Sequence, residues 1–208
     1  MFMSDHKSIW GKNFTTSPGR LVFPNLAKPS GLPGQKLRYS ATLVVNGDEK
    51  LQALVDEIER IGKEAFGPAW GKGGFHKPVL DGDTVVERSD GKAPASLYSG
   101  KWRIVAKLNG DKEPPAIYLR DKSKLPRRPG VETDLETIER TLYPGCYARM
   151  VVAPFTYNKL GQKGVGLTLK AVQFIQDGQR LGGENTEQML DEEFSSDFMD
   201  AGEVLLPE

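Results

Sequence analysis

Residues 145–175, GCYARMVVAPFTYNKLGQKGVGLTLKAVQFI, constrain the fold more than any other part of the chain. Two long alternating runs flank Asn158-Lys159-Leu160-Gly161 and a further glycine-bearing turn, the pattern of a β-hairpin. Because successive side chains of a strand point to opposite faces, Cys146, Ala148, Met150 and Val152 share one side of the first arm. Tyr147, Arg149, Val151, Phe155 and Tyr157 share the other. The first face is suited to a core, and the second mixes a cation with aromatic rings.

The rest of the body reads as strands punctuated by 23 glycines and 14 prolines. RLVFPNL, from Arg20, predicts a strand, and KLRYSATLVV (36–45) alternates Leu37, Tyr39, Ala41 and Leu43 against Lys36, Arg38, Ser40 and Thr42. KWRIVAKL sets Trp102, Ile104, Ala106 and Leu108 against Lys101, Arg103 and Lys107; PAIYLR sets Ile117 and Leu119 against Tyr118 and Arg120. Between these strands, GDEKLQALVDEIERIGKEAFG spaces Leu51, Leu54, Val55, Ile58 and Ile61 at helical intervals, with glycine near each end. The expectation is a mainly β fold: a five-stranded OB-type barrel with one covering helix and long loops. A β-sandwich is the alternative architecture.

The 208 residues carry 28 basic and 28 acidic side chains, but the charges are partitioned. The last 25 residues hold nine acids and no base, so residues 1–183 have a net charge of +9. This predicts a basic domain over 1–183 and a disordered acidic tail over 184–208, an asymmetry that points to a polyanion partner. The bland alternative is a solvated terminus. A single cysteine, Cys146, excludes a disulfide framework and reads as a small buried thiol. No apolar run has the length of a signal peptide or a membrane span, so a cytoplasmic protein without a membrane partner is expected.

No reaction is assembled by the residues. His6 and His76 are far apart and lie in no metal-ligand or nucleophile spacing; the DGD of Asp81 and Asp83 is a turn signature. GKGGFHKP lacks the GK[ST] ending of a phosphate loop. The expectation is therefore no enzyme, no cofactor and no metal site, with a metal-dependent nuclease and a protein-interaction scaffold as the rival readings. What remains is basic strands interleaved with rings, as single-stranded nucleic acid requires: unpaired bases stack on flat side chains while cations follow the phosphates. The candidate DNA-binding residues are Lys101, Arg103, Lys107, Tyr118, Arg120, Tyr147, Arg149, Phe155 and Tyr157. Trp70 and Phe75 in the glycine-rich loop belong to the same ring population, whereas Trp102 alternates in step with Ile104 and reads as core. SKLPRRPGVE, with Lys124, Arg127 and Arg128, reads as a rigid basic loop.

The block LYPGCYARMVVAPFTYNKLGQKGVGLTLKAVQFIQDGQRLGG, with RLVFPNL and KLRYSATLVV before it, resembles the tailed-bacteriophage single-stranded DNA-binding proteins, and the likeness runs over 19–183. The resemblance implies an OB fold, an acidic C-terminal tail, and a role in coating exposed strands during phage DNA replication and recombination in the host-cell cytoplasm. It also implies that the tail contacts replication proteins such as a polymerase, helicase or primase. Tails in that family can end in an aromatic residue, whereas this chain ends in Leu-Leu-Pro-Glu and carries Phe194 and Phe198 inside the tail. Leu190, Phe194 and Phe198 fall four apart, so they would form one apolar stripe of a short helix on a partner. Nine acids also mimic a phosphate backbone, which makes the tail a weak competitor for the basic groove. Homo-oligomerisation is left open.

Overall fold

The computed structural model describes residues 8–31, 33–34, 36–88, 95–159 and 162–181. In chain order the elements begin with strands β1 (Phe14–Thr15), β2 (Gly19–Ser30) and β3 (Arg38–Val45), followed by helix α1 (Glu49–Phe66). Next come β4 (Phe75–His76), β5 (Val79–Asp81), α2 (Gly82–Arg88), α3 (Ala95–Tyr98), β6 (Trp102–Asn109) and β7 (Ala116–Tyr118). Helix α4 (Glu132–Thr141) and the hairpin strands β8 (Tyr147–Lys159) and β9 (Gln162–Gln176) complete the set.

Five long strands close a ring. β2 pairs antiparallel with β3, and β3 with β6 in unbroken register from Arg38↔Asn109 to Val45↔Trp102. β6 meets β9 in parallel at Lys107↔Thr168. β9 runs antiparallel to β8 from Tyr147↔Gln176 to Lys159↔Gln162, and β8 returns to β2 at Gly19↔Ala148 and Arg20↔Tyr147. Closure satisfies the backbone groups that an open sheet would leave at its edges. Five of the six predicted strands are those of the ring, and the sixth, PAIYLR, forms only the short β7 beside it. The four short strands fill its flanks: β1 pairs with β8, β5 with β6, and β4 and β7 with β9.

The alternation sets the interior. Leu21, Leu43, Ile104, Met150, Val152, Val165 and Leu169 are all buried inside the ring, and α1 contributes Leu51, Leu54, Ile58 and Ile61 to the same core. Each such side chain stabilises the fold by roughly 1.5–3 kcal/mol relative to exposure. α1 starts where the Asp48 carboxylate accepts from the Leu51 amide at 2.8 Å and stops at Gly67, in the left-handed region. Midway, Gly62 lets the indole of Trp70 lie against the helix backbone, since a Cβ there would sit 2.3 Å from the ring. Cys146 is buried as expected, and burial pushes its thiol up to about 12.

Among the described residues, three further α-helices accompany the one that periodicity predicts. α4 packs Leu135 and Ile138 against the core, with Leu142 just beyond its end, a short helical stripe not expected from the sequence. α2 and α3 cover a second apolar cluster outside the ring, in which Val22 and Val44 pack with Val85, Leu97 and Tyr98. This explains why β3 ends in an unbroken apolar run: it is buried on both faces there. No described helix is long and apolar enough to cross a membrane.

Candidate nucleic-acid interface

The outer face of β8 carries a row of aromatic rings. Phe155 and Tyr157, two residues apart on the strand, have ring centroids 6.2 Å apart. Trp10 stacks on Phe155 at 5.0 Å with an interplanar angle of 25°, and His76 stands 6.3 Å from Tyr157 on the other side. Trp10 is positioned by backbone pairing of its neighbours: the Ile9 amide donates to Thr156 Oγ1, the Thr156 amide to the Ile9 carbonyl, and the Gly11 amide to the Pro154 carbonyl, each at 2.9 Å. On β9 the residues opposite Tyr157 and Phe155 are Gly164 and Gly166. The Phe155 ring lies directly over Gly166, where a Cβ would come within 2.9 Å of it. The row therefore rests on bare backbone and no neighbouring side chain of β9 stands between the rings. Trp10 remains 57% exposed.

Cations flank this row. Burial raises the Tyr157 phenol above its ordinary value, and Arg38 of β3, close enough to act electrostatically, opposes that shift. Lys163, opposite Asn158 on β9, holds its ammonium 4.5 Å from the centre of the Phe75 ring, and Lys12 lies 5.2 Å from that of Phe14.

The other predicted residues occupy separate places. Tyr147 lies ten residues before Tyr157 on β8, about 33 Å along an extended strand. Arg20 sits over its ring at 5.2 Å and donates to the Gln179 carbonyl at 2.6 Å. Between the two ends, Arg149 Nε donates to Gln173 Oε1 at 2.7 Å, while Gln173 Nε2 donates to the Leu119 carbonyl at 2.9 Å. Tyr118, Arg149 and Gln173 line one shallow depression, and Arg120 is exposed at the end of β7. On β6, Lys107 is exposed, paired in register with Ser40 and Thr168. Lys101 precedes the strand, and its carbonyl accepts from the Gly82 amide at 2.8 Å. Arg103 is half-buried at the α2–α3 end, with Nε enclosed and no acceptor for it among the described residues.

Two other basic or aromatic segments are occupied structurally. Arg127 donates to the Leu26 and Ala27 carbonyls at 2.5 and 2.8 Å and lies over the Tyr39 ring. Arg128 pairs with the buried Asp134 at 2.7 Å, a hydrogen bond that holds that carboxyl down at about 2. In the glycine-rich loop, Trp70 is buried and its Nε1 donates to Glu59 at 2.6 Å. Trp102 packs against the main core. Among the described residues no three His, Cys, Asp or Glu side chains are grouped to hold a metal ion. His6, Leu160, Gly161 and the tail residues Leu190, Phe194 and Phe198 lie outside the described residues.

Periodicity missed Trp10, Arg38 and His76 as members of the β8 site. Trp10 sits in a short segment without alternation, and its only local signal is an aromatic beside Gly11 and Lys12.

Residues 12–204 match the model of a protein family described as the ssDNA-binding protein of Enterobacter phage Enc34. Putative protein p50 of Acyrthosiphon pisum secondary endosymbiont phage 1 is 28% identical over 200 residues, 90% of this chain and 95% of that protein. Among solved structures, the single-stranded DNA-binding protein of bacteriophage Enc34 in complex with ssDNA gives a TM-score of 0.65 at 23% identity, over 82% of this chain and 89% of that one. Its C-terminal truncation gives 0.64 at 19% identity, over 84% and 98%. The single-stranded DNA-binding protein gp2.5 of bacteriophage T7 gives 0.54 at 18% identity, over 94% and 99%. At these identities the structural likeness establishes the fold.

Proposed function

This chain belongs to the family of the Enterobacter phage Enc34 single-stranded DNA-binding protein, and from that membership we propose that it coats single-stranded DNA without regard to base sequence. The observation that carries the reading is the Trp10–Phe155–Tyr157 row, part-exposed rings laid over glycine backbone with cations at its margins. Every base has a π-face, so such a row accepts any of them. Phosphates would be followed by exposed or half-exposed cations, with Arg149 on β8 itself, Lys107 on β6, Arg120 just beyond β7, and Lys101 and Arg103 at the start of β6. Tyr118 and Tyr147 would offer further stacking surfaces beyond the row. The family description names binding and no reaction, which sets aside the metal-dependent nuclease and the protein scaffold as working alternatives.

The test is titration of a fluorescent oligothymidine at several salt concentrations. Neutralising some four phosphates gives a slope of log affinity against log salt near roughly −3, from about −0.7 per contact on a single strand. A slope near zero, or no binding, would overturn the reading.

The finer parts of the proposal concern the division at 183/184. The acidic tail would compete with DNA for the basic surface, and Leu190, Phe194 and Phe198 would dock polymerase, helicase or primase during replication and recombination in the host cytoplasm. Support comes from the charge partition: nine acids in 184–208 against +9 in 1–183. Deleting 184–208 should tighten DNA binding at low salt, where the Debye length is about 30 Å near 0.01 M, and the gain should shrink as salt rises. Unchanged affinity at low salt would remove the competing role. Self-association stays open on this reading.

A further inference from the structure

The β2–β3 ladder loses its register between Val22↔Thr42 and Asn25↔Ser40, so Phe23 and Pro24 together face Ala41 alone. This bulge has a packing reason. Leu21 and Leu26 are five apart, and an uninterrupted strand would send them to opposite faces; the extra residue lets both enter the core, where they are 0% and 3% exposed. The backbone at the bulge takes φ 49° at Phe23, a left-handed conformation ordinarily filled by glycine or asparagine. Packing thus explains the bulge and does not explain a phenylalanine in it. The ring is 71% exposed, on the outside of the ring of strands.

Lys122, the other non-glycine residue with positive φ among the described residues, sits in a tight turn where its amide donates to the Leu119 carbonyl at 3.0 Å. Phe23 sits instead on the outer sheet face, between an apolar row and a polar one. On one side Thr42 stands opposite Val22 and Val105; on the other, Asn25 donates to Ser40 Oγ at 3.0 Å, and Ser40 stands opposite the exposed Lys107. Arg38, also exposed, comes next on the same face of β3.

We propose that Phe23 is a nucleobase-stacking residue, aimed by the bulge onto the β2–β3–β6 face beside Lys107. The proposal rests on the single-stranded DNA reading and extends it to a second contact surface. A strained aromatic exposed next to cations has the features of a ligand clamp: the backbone conformation is unfavourable for the side chain, and the ring gains its partner only when a base is present.

The test separates binding from stability. Phe23→Asn removes the ring and supplies a side chain that tolerates positive φ; Phe23→Tyr keeps a ring. Oligothymidine affinity should fall roughly 5- to 150-fold in Phe23→Asn, the loss expected of one base stack, with Tm unchanged or higher, and should be retained in Phe23→Tyr. Wild-type affinity in Phe23→Asn would overturn the proposal while leaving the binding reading intact. A Phe23→Asn variant that loses Tm and affinity together would also overturn it, since a structural role would then account for both. A wild-type chain that fails to bind the oligonucleotide would overturn the binding reading itself, and this inference with it.

Discussion

Two aromatic clusters in this molecule look alike by composition and behave differently in the structure. Phe66, Trp70 and Phe75 have ring centroids 4.9–5.9 Å apart, with Lys77 and Lys163 held over ring faces at 5.1 and 4.5 Å. Trp10, Phe155 and Tyr157 are spaced at 5.0 and 6.2 Å. Trp70 is 7% exposed and Trp10 57%. The first cluster is closed: Glu59 accepts from both Trp70 Nε1 and Lys77 Nζ at 2.6 Å, and Gly62 gives the indole a seat on α1. The second is floored by Gly166 and covered over Phe155 only by Trp10, which is itself exposed. Rings beside cations therefore do not define an interface. What separates the two is whether the fold has already used the ring faces and the polar handles.

The contrast can be broken by substitution, and the largest effect belongs to the closed cluster. Trp70→Ala should cost about 3–5 kcal/mol of stability, the usual loss for a buried large ring, read as a lower denaturation midpoint. The fraction that remains folded should bind oligothymidine as the wild type does. In the open cluster the pattern should invert: Trp10→Ala or Tyr157→Ala should weaken binding by roughly 1–3 kcal/mol, measured by titration, with little change in Tm. Stability lost at Trp10 and affinity lost at Trp70 would reverse the assignment.

The smallest effect sharpens the same distinction among cations. Arg128 is engaged by Asp134, whose carboxyl is held at about 2 against an ordinary value of 3.8. A depressed carboxylate stabilises the fold above its ordinary value and loses that contribution as pH falls through its folded value. Unfolding followed between about pH 4 and pH 2 should show this loss, and Asp134→Asn should flatten the slope there. The same variant should leave the salt dependence of DNA binding unchanged, because Arg128 is assigned to the fold and not to phosphate.

Much of the architecture was legible because it is written in local periods. Period-two alternation marked the hairpin and the inward faces of β3 and β6, and the 3.6 period marked α1. α4 was missed although Leu135, Ile138 and Leu142 stand at helical spacing, because that stripe is short and set in an otherwise charged segment. Of the site, Phe155 and Tyr157 were readable from alternation against Met150 and Val152. Their partner was not: Trp10 and Phe155 are brought together only by a long-range bridge that lays the segment before β1 along β8. The same long-range packing engages Arg127, which local sequence presents as a free cation, with the Leu26 and Ala27 carbonyls. The Phe23 bulge was hidden for another reason. RLVFPNL reads as an ordinary strand unless one knows that Leu21 and Leu26 must both point inward.

Intrinsic fluorescence tests the central claim most directly, because the chain has three tryptophans, Trp10, Trp70 and Trp102, of which Trp70 is buried and Trp102 packs on the core. If bases stack on the β8 row, adding oligothymidine should quench the wild-type emission, and Trp10→Phe should lose most of that quench while binding with near-wild-type affinity. Quenching that persists undiminished in Trp10→Phe would place the bases elsewhere and contradict the account.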